Sequence, residues 1–155
     1  MKIKLTREMI KRCYDGANRK RFHYYIDNDH IYLMPDGACM FVIESSDEWN
    51  DMLTGMDNVE PDDRLLSLKL KIHATSDIIL DKFKGDSFVK MGTYWKLWAN
   101  DDSFLFDDKY LKYFIKKNLT YDLFISGSMF GLIIYEGNSD DGYSIVGLLM
   151  GVKNG

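Results

Sequence analysis

Proline is almost missing from this chain, with two among 155 residues, and no Pro/Ser-rich or low-complexity run interrupts it. That excludes a stiff or disordered connector and points to a single domain, 1–155, long enough to bury its own core. Cysteine is equally scarce. Cys13 and Cys39 have no metal-ligand spacing, and a disulfide between them is possible but unneeded in a chain with 46% hydrophobic residues. Long apolar runs are missing as well. The longest, such as YSIVGLLMGV at 143–152, reach about half of the ~20 residues a membrane-crossing helix needs. The opening MKIKLTREM has no unbroken apolar core of the kind a signal peptide carries. The expectation is a soluble cytoplasmic protein with no membrane partner.

Catalytic patterns are missing too. His23, His30 and His73 show no HExxH or i, i+4 pairing, and GSMFG at 127–131 is not a nucleophile elbow. No phosphate loop of the Walker type occurs. DDG at 140–142 and PDD at 61–63 lack the spacing of a calcium loop and read as turns. No nucleophile stands in a pattern with a base. The sequence therefore supplies no catalytic residue, no metal ligand set and no cofactor, and a non-enzyme is expected.

What the chain does contain is a pattern said twice. IKLTREMIKRCYDGAN at 3–18 and FLFDDKYLKYFIKKN at 104–118 each run from a short alternating stretch, through a capping residue, into a helical stripe. In the first, Thr6 caps, and Met9, Ile10, Cys13, Tyr14 and Ala17 form the apolar side opposite Arg7, Lys11, Asp15 and Asn18. In the second, Asp107 caps, and Tyr110, Leu111, Phe114 and Ile115 lie opposite Lys109, Lys112 and Lys116. Gly16 in DGAN, and KKN in the second copy, mark the helix ends. Ile3 and Leu5, like Phe104 and Phe106, read as a strand ahead of each helix. RFHYYI, HIYLM and CMFVIE follow the first helix as strands, with turns at DND and PDGA. YDLFIS, FGLIIYEG and YSIVGLLMGVK follow the second, with turns at GS and NSDDG.

Pseudo-repeats of about 1–45 and 102–153 are thus joined by a mixed segment, 46–101. That segment opens with a helix in SSDEWNDMLTGM, capped by Ser45 with Glu48 in a capping box, then an acidic loop, DNVEPDD. LLSLKLKIHA, DIILDKF and TYWKLWA read as further strands. The fold class is α+β: two strand–helix–meander units whose two main helices lie on one side of antiparallel sheets.

Charge follows the repeats. Residues 7–21 sum to +4 and residues 107–118 to +2, while the whole chain is −4, so the remainder carries −10. The acid concentrates in 44–63, where Glu44, Asp47, Glu48, Asp51, Asp57, Glu60, Asp62 and Asp63 occur with no lysine or arginine.

A short strand, a capped amphipathic helix and a strand meander, performed twice, resembles the domain unit of the sliding clamps. The second copy, with FLFDDKYLKYFIKK, YDLFISGSMFGLIIYEG and YSIVGLLMGVK, is similar to the last domain of the bacterial clamp, the DNA polymerase III beta subunit. A bacterial clamp protomer has three such domains and this chain has room for one. Its closing strand, Leu149 to Lys153, lacks the proline and arginine usual there.

The resemblance implies a non-enzymatic, processivity-type accessory protein of DNA replication, encoded by a phage or mobile element. Its helices would meet the backbone of double-stranded DNA without reading sequence, which is what a basic face inside an acidic surface does. Arg7, Lys11, Arg12, Arg19, Lys20 and Arg21, with Lys109, Lys112, Lys116 and Lys117, are then the DNA-binding candidates. Clamp rings use six domains, so self-association into a homo-oligomer is implied as well. The alternative is a clamp-fold module without DNA binding that engages a host replication or defence protein through Glu48, Trp49, Asp51, Met52 and Met56.

Overall fold

The computed structural model describes residues 6–57, 59–115 and 118–152. It is α+β with antiparallel strand pairing, and it divides into two compact units, 1–69 and 70–155.

The first unit opens with helix α1 (Arg7–Asn18), begun where Met9 N donates to Thr6 Oγ1 at 3.2 Å. Met9, Cys13 and Gly16 are its buried residues. The helix runs through Gly16 instead of ending there, and the reason is packing. A Cβ at Gly16 would collide with the carbonyl of Pro35, so only glycine lets the helix approach the strand that carries Pro35 this closely. Strands β1 (His23–Ile26), β2 (His30–Asp36) and β3 (Cys39–Glu44) form an antiparallel meander with Ile31 opposite Ile43 and Leu33 opposite Phe41. β2 alternates buried and half-buried positions, whereas Cys39 to Ile43 are all buried. The β2–β3 turn is held where Ala38 N donates to Asp36 Oδ1 at 2.8 Å. Cys13 and Cys39 are both buried, and burial pushes the Cys13 thiol up to about 12.

Helix α2 (Asp47–Thr54) is capped by Ser46, which accepts from Trp49 N, and not by Ser45. The segment at 65–74 corrects a second expectation. Read as a strand, it is a short 3-10 turn (Asp63–Ser67) followed by helix α3 (Leu68–Thr75), which crosses the boundary between the units. Alternation produces a strand only where its apolar side meets a core. None of the eight α3 residues is buried, so leucine, lysine and alanine follow their helix preference behind the cap that Asp62 provides.

The second unit has two sheets. β4 (Asp77–Lys84), β8 (Thr120–Ser126), β9 (Met129–Asn138) and β10 (Gly142–Met150) pair antiparallel in the order β4-β8-β9-β10. β5 (Phe88–Met91), β6 (Tyr94–Ala99) and β7 (Asp102–Asp107) form the other. Phe88, Phe104, Phe106, Phe130 and Tyr121 meet at ring distances of 5.0 to 6.0 Å, all edge to face. A one-turn helix, α4 (Asp108–Leu111), links β7 to β8. Each unit therefore contains a helix followed by a three-strand antiparallel meander, but the helices differ threefold in length. Among the described residues, the second of the two expected main helices is this single turn. Tyr113 N and Phe114 N donate to the carbonyls of Tyr110 and Leu111, three residues back, and the Tyr121 hydroxyl donates to the Phe114 carbonyl at 3.2 Å. Those bonds tighten the chain into a turn that keeps Phe114 fully buried. The strands expected at Ile3 and Leu5 lie outside the described residues.

Candidate nucleic-acid interface

Helix α1 is about 18 Å long at 1.5 Å per residue, and its outward side carries Arg7 and Lys11, one turn apart and both exposed. Asp15, also exposed, continues that side. Arg12 is half-buried and already occupied, since its guanidinium pairs with Glu8 at 2.7 Å. Beyond the helix, Arg19, Lys20 and Arg21 are all exposed. Among the described residues none of Arg7, Lys11, Arg19, Lys20 or Arg21 enters an ion pair.

Two of these cations stand where the backbone disfavours them. Arg7 occupies the first helical position, where the helix dipole is positive and a cation is opposed by roughly 0.3–1 kcal/mol. Lys20 takes a left-handed conformation, φ 58°, which glycine adopts without strain. There it lets Arg21 N donate to the Gly16 carbonyl at 2.7 Å and so closes the helix end. The turn thereby displays three consecutive cations.

The second basic stretch is built differently. Asp107 caps α4 by accepting from Lys109 N at 2.9 Å, as the sequence suggests, and Trp95 Nε1 donates to Asp108 Oδ1 at 2.7 Å. Lys109 lies over the Tyr110 ring at 5.0 Å and Lys112 over the Tyr113 ring at 5.4 Å, both half-buried. Their charge is held against the protein's own aromatic faces. Lys116 and Lys117 lie outside the described residues.

In the acidic segment, Trp49 and Met56 are buried, and with Leu53 they seat α2 in the core. Burial removes those two from the candidate partner surface. Met52 is half-buried, and only Glu48 and Asp51 of that set are exposed. An unforeseen cluster lies at the end of the segment. Asp62 receives Arg64 through two bonds of 2.9 and 2.8 Å and His23 Nδ1 at 3.1 Å, while Asp62 N donates to the Tyr24 carbonyl at 2.7 Å. The Arg64 hydrogen bond, supported by its charge and that of His23, holds the Asp62 carboxyl down at about 2. The Asp-x-Arg spacing was the available signal; the contribution of His23, 39 positions away, had none. This cluster ties the acidic loop to β1.

Among the described residues no three His, Cys, Asp or Glu side chains gather closely enough to hold a metal ion, and no helix is long and apolar enough to cross a membrane. Searches against protein-family models, curated proteins and solved structures found no match.

Proposed function

We propose that the chain is a non-enzymatic DNA-tethering protein that holds the phosphate backbone of duplex DNA through α1 and the turn that follows it. The observation that carries this reading is the group of five exposed, unneutralised cations between positions 7 and 21, two of them kept at positions the backbone disfavours. Affinity built on phosphate contacts is indifferent to base sequence and strongly dependent on salt. The acidic remainder of the surface repels DNA and confines it to that face. The recurrence of a helix followed by a three-strand antiparallel meander in both units supports an origin from one repeated module of the clamp type. Self-association into a ring belongs to the same proposal, and the mass in solution measures it.

The test is fluorescence anisotropy with two unrelated duplexes of about 20 base pairs at about 50 mM salt. Equal affinity for both duplexes, lost in Arg7→Glu/Lys11→Glu, is the expected result. Binding by the doubly reversed chain at the parent's affinity would overturn it.

A further inference from the structure

The end of β4, the 3-10 turn Gly85–Ser87, the segment entering β8 and the β9–β10 hairpin line an open cleft of about 670 Å³ in the second unit. That is the size of sites that hold a small organic molecule. Two glycines let its walls close. A Cβ at Gly85 would lie 2.7 Å from the Ile115 carbonyl oxygen, and one at Gly137, where φ is +107°, would collide with the carbonyl of Gly142. The hairpin wall is fixed from within: Asn138 Oδ1 accepts from Asp140 N and Asp141 N at 2.9 and 2.8 Å, and its amide donates to Asp141 at 3.2 Å. Asn138 is therefore part of the frame.

Besides Asn138, the exposed side chains along it are Lys84, Asp86, Asn118, Ser139 and the ring of Tyr143. One cation and one carboxylate cancel, so a phosphate would meet Asp86 and an organic cation would meet Lys84. The amide and the hydroxyl offer donors and acceptors together. Tyr143 is 41% exposed and braced edge to face by Tyr135, 6.3 Å away at 69°. Tyr135 is itself buried. A rigid aromatic face beside neutral-sum, mixed polar groups complements a ring with a flat C–H face and a rim of hydroxyls.

We propose that this cleft binds a neutral sugar residue, with Tyr143 against its C–H face, Asp86 and Asn118 accepting hydrogen bonds from its hydroxyls, and Lys84 donating to its oxygens. The inference is independent of the DNA reading, which rests on the first unit. It is tested by titrating the ¹⁵N-labelled full chain with glucose, galactose, N-acetylglucosamine and, as a flat-ring comparison, adenosine. The expected result is that at least one sugar, at millimolar concentration, shifts the amides of 84–86, 118–120 and 137–143 saturably and more tightly than adenosine does. Tyr143→Ala and Asp86→Asn should each weaken that binding at least tenfold, a change of about 1.4 kcal/mol, with duplex-DNA affinity unchanged. Absence of saturable shifts with all three sugars up to about 50 mM, preference for adenosine, or shifts that survive both substitutions would overturn the proposal.

Discussion

In α1 the cations stand clear of the helix's buried side, whereas in the second copy Lys109 and Lys112 lie over tyrosine rings 5.0 and 5.4 Å away. The two stretches share a capping residue, an apolar stripe and a set of basic side chains, so their difference lies in what adjoins each cation. Among the described residues no ring lies over Arg7 or Lys11, although exposed Tyr14 stands three positions after Lys11. Lys109 and Lys112 each precede a tyrosine that captures the ammonium. A lysine count therefore overstates how many ammonium groups stand clear of the protein's own rings, and the first unit carries the DNA reading on fewer residues than the full basic inventory.

The largest effect expected from breaking this comparison is on stability. Phe114→Ala should destabilise the second unit by roughly 3–5 kcal/mol, because it empties a fully buried site beneath the turn. Chemical denaturation measures it. A loss below about 1 kcal/mol, typical of a surface substitution, would show that the turn does not depend on that side chain. Next comes charge. At equal salt, Arg7→Glu/Lys11→Glu should weaken duplex binding by at least about thirtyfold, and Lys109→Glu/Lys112→Glu by less than about threefold, since only the first pair removes counterion-releasing contacts. Equal losses would erase the distinction between the two stretches.

Lys20→Gly sharpens the comparison further, by separating folding from binding. It relieves a left-handed lysine while removing one cation from the turn. Stability should stay level or rise by up to about 1 kcal/mol, entropy of the unfolded chain offsetting part of the relief. DNA affinity should fall several-fold at low salt. If instead both quantities fell, the lysine would be serving the fold.

The smallest effect concerns pH. The folded pKa of Asp62, about 2, is below its ordinary 3.8, so its contribution is fully present above pH ~4 and is lost as pH falls toward 2. The melting-temperature difference between the parent and Asp62→Asn should shrink as pH falls from about 4.5 toward 2. A difference that widened on acidification would have the wrong sign.

Much of the fold was legible where a residue's role is local. Thr6 and Asp107 act as caps because a side-chain oxygen two or three positions before a free amide suffices. β1 to β3 and β8 to β10 followed from alternation and turn residues. Leu68–Thr75 was not legible, since its alternation gives no sign that the apolar side meets nothing. The length of α4 depended on Tyr121 reaching back to Phe114, and the role of Gly16 depended on Pro35. At the candidate site, the positions of the cations could be read but their engagement could not. Whether a lysine faces water or a ring is a matter of side-chain direction that composition leaves open.

The most direct measurement is the salt dependence of binding to a short duplex. Five phosphate contacts from Arg7, Lys11, Arg19, Lys20 and Arg21 predict that log K falls against log salt with a slope of about −4.5, close to 500-fold between 50 and 200 mM. Arg7→Gln/Lys11→Gln should reduce the slope to about −2.7. A slope near zero in the parent, or one unchanged in the double variant, would contradict the assignment of DNA binding to this face.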